Sequence, residues 1–127
     1  MSPLITYHLE ANFALIGLAS PPVNALGQPL RAALLHACER AASDPTVAAI
    51  IIHGANGVFC AGADITEFGQ PGAFAAPALP DALQRLSQID KPLIACIERF
   101  ALGGGLELAL ACGYRIAATG SRLGLPE

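Results

Sequence analysis

Leu93-Ile-Ala-Cys-Ile-Glu-Arg-Phe-Ala-Leu-Gly-Gly-Gly-Leu-Glu-Leu-Ala-Leu-Ala-Cys-Gly-Tyr-Arg-Ile-Ala-Ala118 is the stretch that decides the fold. Leu93–Ile97 is a short apolar run of strand length, suited to a buried strand. Gly103, Gly104 and Gly105 let the backbone turn sharply and open a helix that runs to about Cys112. Tyr114–Ala118 is again extended. Strand, glycine turn, helix and strand in this order point to α/β architecture with parallel pairing.

The same alternation continues on both sides. Upstream, Asp90-Lys91-Pro92 ends a helix expected over Asp81–Gln88, with Leu79, Leu83, Leu86 and Ile89 on its inner side. Gly69–Pro80 is a Pro/Gly/Ala loop. Val47–His53 is a continuous β-branched run that suits a strand covered on both faces. Gly54–Gly57 is a turn, and Val58-Phe-Cys60 leads into the small-residue bend Ala61-Gly-Ala-Asp64. A helix starts near Gln28 with Pro29 in its first turn, carries Leu30, Leu34, Ala37 and Ala41 on one face, and stops at Asp44-Pro45. Ile5–Leu9 and Phe13–Leu18 form a hairpin, and the segment from Ser20 to Asn24 breaks regular structure. Downstream, Thr119-Gly120-Ser121 is a turn and Arg122–Leu125 a last extended piece.

Composition narrows the function classes. The chain has 127 residues, 54% hydrophobic and 13% charged, with a net charge of −3. Disorder requires the opposite balance. No Lys/Arg cluster tracks a phosphate backbone, so nucleic acid is not an expected partner. The N-terminus lacks a basic segment followed by an apolar one, so it does not read as a secretory signal. The most membrane-like window, Phe100 to Ala118, carries Glu107, Arg115 and four glycines and reads as buried protein rather than a span. So low a charge content suggests apolar surface covered by more chain or by a partner. Cys38, Cys60, Cys96 and Cys112 lie 22, 36 and 16 residues apart with no CxxC, and read as small buried hydrophobes in a reducing compartment. His8, His36 and His53 are scattered, and no metal site is expected.

Four features can carry chemistry. The glycine run can bring backbone N–H groups of a helix N-terminus against an oxyanion, or can be a tight turn and nothing more. It is neither a dinucleotide fingerprint, since Leu108 stands where the third glycine is needed, nor a Walker loop. Glu107 sits among apolar neighbours, Gly105-Leu-Glu-Leu-Ala-Leu-Ala111. Enclosed there, its pKa would rise as acid–base work requires. Facing water, it is a first-turn glutamate favoured by the helix dipole. On this residue alone both readings stand. The Ala61–Asp64 bend can present one more N–H, at Ala63. Glu127 is by composition only a terminal residue.

Together these residues resemble the crotonase, or enoyl-CoA hydratase/isomerase, superfamily. The matching stretches are Pro21-Pro-Val-Asn-Ala-Leu26, Phe59-Cys-Ala-Gly-Ala-Asp-Ile-Thr-Glu-Phe68, Ala101-Leu-Gly-Gly-Gly-Leu-Glu-Leu-Ala-Leu-Ala-Cys112 and Leu123-Gly-Leu-Pro-Glu127. The wording is most similar to the hydratase/isomerase part of multifunctional β-oxidation enzymes, which fuse it to a 3-hydroxyacyl-CoA dehydrogenase. The resemblance implies a crotonase-like ββα spiral, of which residues 1–127 are the N-terminal half. It implies an oxyanion hole from the N–H groups of Ala63 and Gly104. Ala61, Ala63, Asp64, Ile65 and Gly104 would bind CoA and the substrate. Glu107 and Glu127, twenty residues apart, match the two catalytic glutamates that hold one water. For Δ3/Δ2 isomerisation the carboxylate matching Glu127 alone would move the proton.

Several further expectations come with the resemblance. The substrate is an acyl-CoA, hydration needs no cofactor, and NAD enters only with a dehydrogenase domain. The missing half, a fused dehydrogenase or further copies of the chain are the expected partners, with no membrane among them. The place is the cytoplasm, or the peroxisome in a eukaryote. The isolated chain is expected to be inactive. Other crotonase-fold acyl-CoA enzymes, or a non-catalytic acyl-CoA-binding module, are the alternatives. One departure is local: the family's glycine-containing turn before the glycine run reads Glu98-Arg99-Phe100 here, and an arginine, lacking β-branching, can adopt that bend.

Overall fold

The structure, a computed structural model, describes residues 3–62 and 77–126. Among them the chain runs β1 (Ile5–Glu10), β2 (Phe13–Leu18), α1 (Gln28–Ser43), β3 (Ala49–Gly54), β4 (Cys60–Ala61) and α2 (Leu79–Ser87). It continues with β5 (Leu93–Ile97), β6 (Phe100–Leu102), α3 (Gly104–Ala111), β7 (Tyr114–Ala117) and β8 (Arg122–Gly124). The strands divide between two sheets, a five-stranded one in the order β1-β2-β3-β5-β7 and a three-stranded one in the order β4-β6-β8. The β1–β2 hairpin is antiparallel and every other pairing is parallel. Hydrophobic pattern announced the parallel alternation; it did not announce that successive strands would be dealt to different sheets.

The large sheet buries one face. Register sets Ala14 beside Ile50 and Ile50 beside Leu93, then Ile16 beside Ile52 and Ile52 beside Ala95. All six are buried. Helix α1 closes this face with Leu30, Leu34, Leu35, Cys38 and Ala41. Burying a side chain of Leu or Ile size contributes roughly 1.5–3 kcal/mol, so these two rows and the helix over them make the core. The opposite face is only half-covered: Leu15, Ile51 and Ile94 are intermediate in exposure. The expectation that the run from Val47 to His53 is covered on both faces is therefore corrected. Val47 is also not part of the strand, because its N–H donates to the Asp44 carbonyl in the turn after α1.

Two further elements differ from expectation. Helix α2 begins at Leu79, since Pro80 fits a first helical turn and need not belong to a loop. Its inner side is Ala82 and Leu86, with Leu79, Leu83 and Ile89 packed against the core from its edge. Strand β6 occupies Phe100–Leu102, where no element was expected. Arg99 takes φ +63°, Phe100 N–H donates back to the Glu98 carbonyl at 2.7 Å, and the chain re-extends at once. The arginine therefore makes the bend without a glycine. Cys38, Cys60 and Cys112 are buried as small apolar groups, while Cys96 is half-buried.

Exposed large apolar side chains gather on the last elements: Leu110 on α3, Tyr114 and Ile116 on β7, Leu123 on β8, and Leu125 beyond it. Tyr114 and Ile116 are more than 60% exposed although they lie on a parallel strand, a position that usually has both faces covered. Among the described residues no helix is long and apolar enough to cross a membrane.

Candidate functional site

The small sheet builds the site. Strands β4 and β6 are parallel, pairing Cys60 with Ala101 and Ala61 with Leu102. Both strands end at the same level, so the residues that follow them meet. A Cβ on Gly103 would stand 3.6 Å from the Gly62 Cα. Gly103 has φ +54°, a left-handed backbone that L side chains rarely adopt, and its N–H donates to the Gly124 carbonyl at the end of β8. This conformation turns the chain from β6 directly into α3.

Helix α3 is seated on β4 by a backbone contact. A Cβ on Gly105 would lie 2.2 Å from the Cys60 carbonyl oxygen and 2.8 Å from its carbon. No side chain fits there. The first intrahelical bond of α3 runs from Glu107 N–H to the Gly103 carbonyl at 3.1 Å. The N–H groups of Gly104, Gly105 and Leu106 therefore precede the helical ladder, where a helix carries its positive end. Gly104 is buried and lies at the C-terminal end of the parallel strand β6, the edge at which open α/β sheets bind ligands.

The Pro21–Leu26 stretch supports β4 from the other side. Ala61 N–H donates to the Val23 carbonyl at 2.9 Å, and Leu26 N–H donates to the Gly62 carbonyl at 3.0 Å. The Cys60 thiol donates to the Asn24 carbonyl at 3.1 Å. Burial pushes that thiol up to about 12, so at neutral pH it is a protonated packing and hydrogen-bonding group rather than a nucleophile. Arg31 is the buried cation of the region. Its Nη1 donates to the Leu26 carbonyl at 2.8 Å and its Nε to the Pro77 carbonyl at 2.9 Å. Composition did not single out Asn24 or Arg31. The signal was present for Asn24, an asparagine in a Pro-Pro-Val-Asn turn, since asparagine tolerates left-handed backbone.

The expected site residues fall into three groups. Ala61 lies on β4 and Gly104 at the start of α3, with the Gly62–Gly103 contact between them. Ala63, Asp64, Ile65 and Glu127 lie outside the described residues. Glu107 stands in the first turn of α3 and is exposed. The apolar enclosure expected around it is not formed by the described residues; the buried side of α3 is Gly104, Gly105, Leu108 and Ala109. Among the described residues no group of three or more His, Cys, Asp or Glu could hold a metal ion.

Comparison with known proteins agrees with this fold. The family model described as enoyl-CoA hydratase/isomerase matches residues 8–127. A peroxisomal bifunctional enzyme of Danio rerio is 51% identical over 119 residues, which cover 94% of this chain and 16% of that protein. A probable enoyl-CoA hydratase of Bacillus subtilis is 41% identical over 128 residues, covering 97% of this chain and 50% of that protein. Among solved structures, DspI of Pseudomonas aeruginosa superposes with a TM-score of 0.90 at 31% identity, covering 99% of this chain and 54% of that one. The chain thus spans about half the length of the Bacillus and Pseudomonas proteins and a sixth of the bifunctional one. The two sheets and three helices of the described residues are part of a crotonase-type α/β fold, and the chain belongs to the enoyl-CoA hydratase/isomerase family.

Proposed function

We propose that this chain is the N-terminal part of one enoyl-CoA hydratase/isomerase domain within a longer protein. That protein adds water reversibly to a trans-2-enoyl-CoA to give the 3-hydroxyacyl-CoA, and interconverts Δ3 and Δ2 double bonds, in fatty-acid β-oxidation. The observation that supports this best is the junction of β4 with β6, where Gly62 meets Gly103 and the α3 N-terminus is seated on the Cys60 carbonyl. The apolar surface on α3, β7 and β8 supports the partial-domain reading, because further chain would cover it.

The chemistry needs an electron sink at the thioester. Ala63 and Gly104 supply two N–H donors to the thioester oxygen, and Ala61, Ala63, Asp64, Ile65 and Gly104 contact the CoA portion. As water oxygen bonds to C3, the C2–C3 π pair moves toward C2 and the carbonyl oxygen takes enolate charge. Preorganised donors stabilise that charge, and losing one typically costs roughly 10²–10³ in rate. Glu107 and Glu127 hold the water between them. One carboxylate accepts the proton leaving the water and the other, protonated at the start, delivers its proton to C2; transfer of a proton from the first to the second then restores both for the next turnover. For isomerisation Glu127 removes a proton from C2 of the 3-enoyl substrate and returns it at C4.

The CoA thioester is the substrate, and this part of the protein uses no cofactor. NAD belongs to a fused 3-hydroxyacyl-CoA dehydrogenase; that this chain covers 16% of a relative named a bifunctional enzyme supports a second activity in the longer protein. The other partners are the rest of the domain or further copies of the chain. The setting is cytoplasmic, or peroxisomal in a eukaryote. The 127-residue chain by itself hydrates little or nothing. The test is Glu107→Gln in the full-length protein, with loss of the conjugated enoyl thioester followed by its ultraviolet absorbance. General acid–base catalysis contributes about 10²–10⁴-fold, and a fall of that order in hydration is expected. Hydration at the parental rate would overturn the assignment of Glu107.

A further inference from the structure

Among the described residues, Asn24 and Arg31 are the buried polar or charged side chains, and Asn24 is completely inaccessible. Every hydrogen-bonding atom of the Asn24 side chain is engaged. Its Oδ1 accepts from Ser20 N–H at 2.8 Å. The two hydrogens on its Nδ2 are shared among three acceptors, Asn56 Oδ1 at 2.9 Å, the Val58 carbonyl at 2.8 Å and the Phe59 carbonyl at 3.0 Å. Consecutive carbonyls of an extended chain point to opposite sides. Two of them can reach one amide only if the segment curls around it.

The contacts then continue along the chain without a gap. Asn24 holds Val58 and Phe59, its own carbonyl takes the Cys60 thiol, Val23 takes Ala61 N–H, and Leu26 reaches the Gly62 carbonyl. Five successive residues, 58 to 62, are thereby fixed by residues 23 to 26. Residue 62 is the one that meets Gly103. The Asn24 backbone has φ +54°, so the left-handed turn aims the amide inward at the segment it holds.

We propose that Asn24 is a positioning residue for the oxyanion site: its amide sets the path of residues 58–62 and so the approach of Gly62 to Gly103. It touches no reacting atom. The inference rests on the reading of the site as a thioester oxyanion hole. A donor displaced by about 1 Å can cost roughly 10²-fold in rate, and that cost falls on the transition state rather than on binding.

Two substitutions separate this from a general structural role. Asn24→Gly keeps a left-handed backbone without penalty and removes the amide alone. In the full-length protein it is expected to lower kcat for 2-enoyl-CoA hydration by about 10-fold to 10²-fold while KM stays within about twofold. A second readout is the red shift of cinnamoyl-CoA absorbance on binding, which reports how strongly its carbonyl is polarised; the shift should shrink. Parental kcat with a parental shift would overturn the inference, and so would a rise in KM with kcat unchanged. If Asn24→Gly does not fold, Asn56→Ala carries the test, since Asn56 is exposed and accepts from the same amide. A fall in kcat of about 2-fold to 10-fold, the size of one neutral hydrogen bond, supports the inference, and no change overturns it. A parent that neither hydrates nor shifts the probe would instead bring down the oxyanion reading itself, and the role of Asn24 with it.

Discussion

In the five-stranded sheet, Ala14, Ile50 and Leu93 lie side by side across three strands, and Ile16, Ile52 and Ala95 make the next buried row. In the three-stranded sheet the corresponding contacts are Gly105 on the Cys60 carbonyl, Gly103 against Gly62, and a buried amide on the carbonyls of Val58 and Phe59. One region is held by apolar side chains, the other by backbone brought close to backbone. The difference teaches where stability and chemistry reside. Side-chain burial makes a core that tolerates adjustment, because apolar volume can repack. A backbone contact with no room for a methyl group fixes where N–H groups point, which is what an oxyanion requires.

If the two regions divide the work in this way, substitutions in them should separate. Ile52→Ala, in the middle of the large sheet, is expected to lower stability by about 2–5 kcal/mol, as truncation of a buried aliphatic side chain does. Urea unfolding measures this, and kcat of the folded full-length variant should stay near the parent's. Gly105→Ala is the mirror image. Its methyl group meets the Cys60 carbonyl, and overpacking of this kind costs about 1–3 kcal/mol. The larger consequence is for turnover, because α3 must move off β4 and take Gly104 with it; hydration should fall by roughly 10². A Gly105→Ala protein with parental kcat would erase the distinction between the sheets.

A smaller effect sharpens the comparison through pH. Burial pushes the thiols of Cys60 and Cys112 from an ordinary value of 9.0 up to about 12. The folded state therefore favours the protonated thiols. That contribution is complete below pH 9 and is lost as pH rises toward 12, when the unfolded chain ionises first. The urea midpoint should fall across that window, and Cys60→Ala should flatten part of the slope. A midpoint independent of pH between 9 and 12 would mean these thiols are not enclosed as described.

The same contrast explains what could be read in advance. The large sheet was legible because burial leaves a pattern: Phe13–Leu18, the run ending at His53 and Leu93–Ile97 carry apolar residues at strand spacing. Helix α1 was legible from Pro29 and the face of Leu30, Leu34, Ala37 and Ala41. The small sheet leaves almost no such trace. Strand β4 is two residues long and β6 three, too short for any period to show. Their partnership is set by Arg99 at positive φ and by the turn around Asn24, neither of which is a hydrophobic signal. The glycine run announced a tight turn, yet that Gly105 lies on Cys60, forty-five residues earlier, is a tertiary fact. For Glu107 the apolar neighbours in sequence suggested enclosure, but the buried side of α3 is Gly104, Gly105, Leu108 and Ala109, while Glu107, like Leu110, is exposed. Neighbours in a helix share a sequence window without sharing a face.

The most direct test is a crystal structure of the full-length protein with a saturated acyl-CoA bound. The thioester oxygen should lie about 2.7–3.1 Å from the backbone nitrogens of both Ala63 and Gly104. A thioester oxygen held elsewhere, with either nitrogen turned away from it, would contradict the account.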